Sequence, residues 1–349
     1  MLPAGTSALV PVRIRERDRR KPELIANIVS VAPSQSITIV GAGAVGGWII
    51  ARLALAGLPV SVLARGQTLQ LLQREGLRLT DGASALVQVR ATEDARALGP
   101  QDLLLIAVKA PALAAAAAAA QPLIGPGTLI VPMLNGVPWW FMEGGPLRSV
   151  DPGGSIAATL PTAQVIGCVV HAATSRAAPN HVVVKHADRL IFGEPRGGGS
   201  DRVSQLAMLF EQAGIHSECT PDVRQAIWYK LWGNATFNPL AALTGATADR
   251  LLDDPAMRGW ILESMAELSE LGASIGCPIV QSGEDRLGVT ARLGAFKPSM
   301  LQDVEAGRPI ELEALVGAPR EIAARAGIAT PQLDRIYAMT RLLAESRRL

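Results

Sequence analysis

The run Ser36-Ile37-Thr38-Ile39-Val40-Gly41-Ala42-Gly43-Ala44-Val45-Gly46-Gly47 decides the fold of this chain. A β-branched strand pattern leads into glycines spaced G-x-G-x-x-G, and a helical pattern continues from Trp48 to Ala56. Each glycine has a separate task in such a strand-turn-helix unit. Gly41 permits the tight turn, Gly43 lets backbone approach a pyrophosphate, and Gly46 lets helix and strand pack closely. The helix start offers free N–H groups and the positive end of its dipole to phosphates. Gly41, Ala42, Gly43, Ala44, Val45 and Gly46 are therefore the expected dinucleotide-binding residues. The expected class is α/β, a Rossmann-type doubly wound parallel sheet.

Working outward, Val60 to Leu63 reads as the second strand, followed by Ala64-Arg65-Gly66. A chain that prefers NAD usually carries an acid near this place for the ribose 2′-hydroxyl. Arg65 stands there instead, and a guanidinium can pair with a 2′-phosphate, so NADP is the expected cofactor. The plain alternative is a solvated loop arginine. Two later strands, Asp102 to Val108 and Thr128 to Val131, run into Lys109 and Asn135. Carboxyl ends of parallel strands form the ligand crevice, so both should line its nicotinamide end. Singly, a strand-end lysine and a turn asparagine are common.

Shorter β segments follow around Thr162 to His171 and His181 to Phe192, then a helix over Val203 to Ala213 and a strand over Ile215 to Cys219. These complete an expected cofactor domain over residues 36–221. From Asp222 the periods are helical: Leu251 to Ile275 ended by Gly276 and Pro278, Glu311 to Ala326, and Pro331 to Arg347. Residues 222–349 should form an all-α domain beside the ligand edge. Ala114 to Ala120 reads as an ordinary helix after Pro111, since alanine is the best helix former. Residues 1 to about 35, charged from Arg13 to Lys21 and punctuated by prolines, read as a flexible extension without the apolar core of a secretory signal.

With 49% hydrophobic and 18% charged residues, the chain has the composition of a folded globular protein. A net charge of +2 does not point to nucleic acid, and no apolar run is long enough to span a membrane. Cys168, Cys219 and Cys277 lie far apart, which argues against a zinc site or disulfide framework and fits a reducing, cytoplasmic setting. His171, His181, His186 and His216 show no metal-ligand spacing on one helix, so no metal is expected.

Trp228-Tyr-Lys230-Leu-Trp-Gly-Asn234-Ala-Thr-Phe-Asn238-Pro239 places a lysine and two amides four residues apart in an apolar run. On a helix these form one stripe, drifting roughly 40° per step. A lysine among tryptophans is partly desolvated, which lowers its pKa and suits it to proton transfer. The bland reading is a solvated lysine on an amphipathic helix. Further on, Ser299 either caps a helix or faces a substrate carboxylate at the helix start. Glu311 could be a plain surface carboxylate.

Taken together, these residues resemble the ketopantoate reductase (2-dehydropantoate 2-reductase) family over roughly residues 36 to 345. The glycine loop, Ala-Val-Lys109, Leu-Asn135-Gly136, His171-Ala-Ala173, the stripe Lys230, Asn234 and Asn238-Pro-Leu, and Ser299-Met-Leu-Gln-Asp303 followed by Glu311 are similar to its motifs in order and spacing. The resemblance implies a Rossmann domain followed by a helical domain like that of 6-phosphogluconate dehydrogenase. It implies NADPH-dependent reduction of a small 2-oxo acid, ketopantoate, on the route to pantothenate and coenzyme A. Lys230 would be the general acid. Asn234 and Asn238 would hold the hydroxyl and carbonyl side of the substrate, and Ser299 its carboxylate. Lys109 and Asn135 would line the cofactor end, Ala173 would lie against the nicotinamide, and Glu311 would stand near its ribose. No nucleic acid or membrane is implied, and a homodimer is allowed.

The chain departs from the pattern in three places. Asn135 to His171 is longer than in compact members and carries Trp139 and Trp140. Ala248 stands where close members place a further asparagine, and the N-terminal arm has no counterpart. A sister reductase of another 2-oxo acid is therefore a rival expectation. A non-catalytic NADP-binding sensor is another, although it would not need Lys230, Asn234 and Ser299 together.

Overall fold

The structure, a computed structural model, describes residues 35–349. The arm expected at the N-terminus lies outside them. Five parallel strands form the first sheet: β1 (Ile37–Val40), β2 (Val60–Leu63), β5 (Arg90–Thr92), β6 (Leu103–Ile106) and β7 (Leu129–Pro132), in the order β5-β2-β1-β6-β7. The chain enters this sheet at the centre, winds outward one way, and then crosses to the other side. That reversal opens the crevice between β1 and β6 at their carboxyl ends. The doubly wound expectation holds. β1 is buried along its whole length and pairs Ile37 with Val60 on one side and with Leu103 on the other. Strands covered on both faces read as unbroken apolar runs, which is why β1, β2, β6 and β7 were visible in the sequence.

Helices α1 (Ala44–Leu55), α2 (Gly66–Glu75), α3 (Leu113–Ala120), α4 (Ser155–Thr159) and α5 (Asp201–Gln212) belong to this half. A second sheet has the order β10-β9-β3-β4, built from β3 (Leu77–Asp81), β4 (Ala83–Val87), β9 (His181–Gly193) and β10 (Ser217–Cys219). β8 (Gly167–Ala178) runs antiparallel along the other edge of β9, with irregularities beside His171, Ala173 and Arg176. The β3–β4 hairpin and β5 were not anticipated. A signal for the hairpin was present: Leu77 and Leu79 are buried around exposed Arg78, and Asp81-Gly82 is a turn pair.

From α6 (Val223–Thr244) onward the described chain is helical: α7 (Ala248–Asp253), α8 (Pro255–Ser274), α9 (Gly283–Ala291), α10 (Ser299–Glu305), α11 (Ala318–Ala326) and α12 (Pro331–Arg347). The single helix expected over Leu251 to Ile275 is divided at Asp254. Pro255 forces its predecessor into an extended conformation, and the Asp254 carboxylate then accepts from the N–H groups of Ala256 and Met257 as a cap.

The helix expected from Glu311 contains a π-turn over Glu313–Gly317. Ala318 bonds to the carbonyl of Glu313, five residues back. Pro319 has no N–H to give Ala314, whose carbonyl accepts from Val137 N at 2.8 Å instead. Glu321 ties α11 to the long Asn135–His171 segment by accepting from Arg148 N at 3.0 Å and from Ser149 N at 2.8 Å. Trp139, Trp140 and Phe141 of that segment are buried, and Phe141 stacks on Trp228 at 5.9 Å. These aromatics therefore fill core, Phe141 against α6.

Candidate active site

The glycine loop has the shape its spacing implies. Gly41 has φ +95°, and a Cβ there would lie 2.8 Å from Val108 Cγ1. A Cβ on Gly46 would lie 2.1 Å from the Gly41 carbonyl, so helix and strand meet there with no room for a side chain. Gly43 is different: its nearest neighbour would be the Ala107 carbonyl at 3.8 Å. Nothing inside the described protein needs a glycine at 43, so the cleared space lies on the ligand side. α1 begins there with no side-chain cap and no acid in its first turn. Its first N–H groups are free for a pyrophosphate, and these residues fit a dinucleotide.

Arg65 is exposed at the carboxyl end of β2 and begins α2 with extended backbone. Lys109, after β6, pairs with buried Asp303 of α10, which also accepts from Arg308 Nε at 3.0 Å. Asn135 follows β7 and sends its amide Nδ2 toward Glu311 Oε2 at 3.5 Å. The other oxygen of Glu311 accepts from Ala110 N at 3.2 Å. Glu311 is thus no surface carboxylate. It is buried, and burial raises its pKa against the pull of that N–H and of Lys109. Gly136 has φ +83°, and a Cβ on it would lie 2.4 Å from the Ala314 carbonyl, so the Asn135 loop packs flush on the π-turn.

α6 is oriented by its tryptophans. Trp228 Nε1 donates to Leu268 O at 3.1 Å and Trp232 Nε1 to Met265 O at 2.8 Å, both on α8. Lys230, two residues from each, must then point away from α8. Its Nζ donates to Asn135 Oδ1 at 2.8 Å and to Val170 O of β8 at 2.6 Å. An ammonium has three N–H donors, so one remains for a ligand. Burial is the main cause that lowers the Lys230 pKa to about 8, opposed by the negative charge of Glu311. His171, one residue past Val170, is pushed down to about 4 by burial and then by the Lys230 charge, so its imidazole is neutral. The Cys168 thiol, buried nearby, is pushed up to about 12 and stays protonated.

The other anticipated residues fall at different depths. Asn238 is buried and Asn234 half-buried, one and two turns along α6 from Lys230 in reverse order. Ala173 is half-buried on β8, beside one of its irregularities. Ser299 is exposed as the first residue of α10 and makes no cap bond. Ala248 is fully buried at the start of α7. Hydrogen bonds link Lys230 to Asn135 and Asn135 to Glu311, whose other oxygen reaches the backbone N of Ala110 beside Lys109, while Ser299 is attached only through α10, whose Asp303 pairs with Lys109. Asp303 entered the expected C-terminal motif without a role of its own, yet it pairs with Lys109 and is itself held by Arg308. Only the acid four residues after Ser299 hinted at this.

Among the described residues no group of His, Cys, Asp or Glu is placed to hold a metal ion, and no helix is long and apolar enough to cross a membrane. The family model "Ketopantoate reductase PanE/ApbA" matches residues 37–197, and its C-terminal counterpart matches residues 222–344. A 2-dehydropantoate 2-reductase of Mesorhizobium japonicum is 41% identical over 320 residues, covering 89% of this chain and 98% of that one. A Ralstonia solanacearum MolK2 protein classed as a ketopantoate reductase has a crystal structure that matches with TM-score 0.88 and 53% identity, over 90% of this chain and 99% of that one. The crystal structure of 2-dehydropantoate 2-reductase from Methylococcus capsulatus matches with TM-score 0.78 at 28% identity, over 90% and 98%.

Proposed function

Because the chain belongs to the ketopantoate reductase family, we propose that it reduces 2-dehydropantoate to pantoate with NADPH, a step toward pantothenate and coenzyme A. The observation that carries this reading is the Lys230 ammonium, fixed by two hydrogen bonds at the crevice with one donor left over. A bound nicotinamide would supply the hydride. The rest of the chemistry belongs to the protein. As negative charge grows on the carbonyl oxygen, the third Nζ–H of Lys230 stabilises it and then delivers the proton. Asn135 and the Val170 carbonyl hold the ammonium in line meanwhile. Glu311 keeps Asn135 oriented and would stand near the nicotinamide ribose. Asn234 and Asn238 give the substrate its polar contacts along α6. Arg65, exposed where a 2′-phosphate would lie, supports NADPH over NADH.

A second reading, another 2-oxo acid as substrate, is favoured by one observation. Ala248 offers no polar group where the family resemblance expects an asparagine. Steady-state loss of NADPH absorbance with a panel of 2-oxo acids tests both. The proposal expects the highest kcat/KM with 2-dehydropantoate. Faster turnover of a different 2-oxo acid would replace that substrate, and no turnover of any would remove the reductase.

A further inference from the structure

Arg286 of α9 enters the same region from an element that no motif pointed to. Its guanidinium carbon lies 5.6 Å from the Tyr229 ring centroid, a cation–π stack on α6. A Cβ on Gly233 would come within 2.9 Å of Arg286 Nη2 and 3.2 Å of Nε. The guanidinium therefore lies flat on α6 at the one residue without a side chain, three after Lys230 and one before Asn234. Its Nε is buried with no hydrogen-bond partner. Among the described residues it has no ion pair. The two acids beside it are taken: Glu284 by Arg258, and Asp285 by the hydroxyl of Ser282. The charges of Lys230 and Arg286 both reach His171, where they lower its pKa.

A half-buried guanidinium without an acid is unusual, and its planar fork of parallel N–H donors matches a carboxylate. Every 2-oxo acid carries one carboxylate, a single bond from the carbonyl that Lys230 would protonate. Ser299, by contrast, offers one exposed neutral hydroxyl. We infer that Arg286 is a specificity-determining residue that binds the substrate carboxylate, with Gly233 conserving the room it needs on α6. The inference rests on the reductase reading above and adds a residue to it.

The test is steady-state kinetics of the full chain at saturating NADPH, with 2-dehydropantoate and its uncharged methyl ester. Arg286→Met should raise KM for the acid about 100-fold, the scale of a charge-assisted pair, while kcat changes by less than about 3-fold. The preference for acid over ester should collapse by the same factor, and Arg286→Lys should fall between. Gly233→Ala should raise KM for the acid in the same direction with thermal stability equal or higher, because alanine suits a helix better than glycine. That second variant keeps the test open if Arg286→Met folds poorly. If the wild type turns over while both variants keep its KM and its acid preference, the inference is wrong and the reductase reading stands. If the wild type oxidises NADPH with no 2-oxo acid, both fall.

Discussion

Lys230 donates from Nζ to Asn135 Oδ1 at 2.8 Å, across 95 residues of sequence. One partner lies on α6, the other at the end of β7. The proton donor of the proposed reaction is therefore positioned in part by the sheet whose carboxyl edge would receive the cofactor, and the amide of Asn135 leads on from it to Glu311.

Removing the ammonium tests its role directly. Lys230→Ala should lower kcat about 10²–10⁴-fold, the range of general acid catalysis, with KM for NADPH little changed. Stopped-flow and steady-state absorbance measure both. Near-normal turnover would remove Lys230 as the acid.

The pH dependence follows from the same group. Lys230 acts in its protonated form, which predominates below a pKa of about 8 and is lost above it. The kcat/KM profile should be flat below that point and fall as pH rises through it. Asn135→Ala removes a hydrogen bond to the charged form and should move the alkaline limb to lower pH. A limb that stays put would uncouple Asn135 from the lysine.

The two inner glycines should fail in different ways. Gly46→Ala forces a Cβ onto the Gly41 carbonyl and should reduce thermal stability as well as cofactor binding. Gly43→Ala meets nothing tighter than 3.8 Å in the protein, so stability should hold while NADPH affinity drops at least about 10-fold. Calorimetric melting and titration with NADPH separate the two.

Arg65→Ala should weaken NADPH about 10–100-fold and leave NADH nearly unchanged, as expected for a charge-assisted pair to the 2′-phosphate. Equal losses for both cofactors would assign the guanidinium to something common to them.

Glu321 makes a stability prediction. Burial alone would raise its pKa, but donation from Ser149, Arg148 and Arg325 outweighs that and holds it at about 2. A depressed carboxylate contributes stability above its unfolded pKa of about 4.3, and that contribution is lost as pH falls toward about 2. Glu321→Gln should destabilise by about 1–3 kcal/mol at neutral pH, with the gap to wild type closing in acid. Urea midpoints at several pH values measure it.

Strands β1, β2, β6 and β7 of the first sheet were legible because they are apolar runs, largely buried, standing near glycines and prolines, whereas the three-residue edge strand β5 exposes Arg90 and gives no such run. The lysine–asparagine stripe was legible because four-residue spacing keeps side chains on one face of a helix, and α6 runs unbroken from Val223 to Thr244 although Pro239 lies inside it. The β3–β4 hairpin was overlooked although Leu77, Leu79 and the Asp81-Gly82 turn announced it. The Lys230–Asn135 and Lys109–Asp303 contacts are tertiary, and no local spacing encodes which distant side chains meet. Arg286 was missed because a helical arginine beside Glu284 and Asp285 looks like any solvated surface charge. Only the structure reveals that both acids face elsewhere.

The π-turn at Glu313–Gly317 amounts to one surplus residue wound into a helix. Excising a single amino acid there would restore an even winding. It would also swing Glu311 about 100° around the axis, out of reach of Ala110 and Asn135. The reach of Glu311 is thus set by a count of residues along this helix.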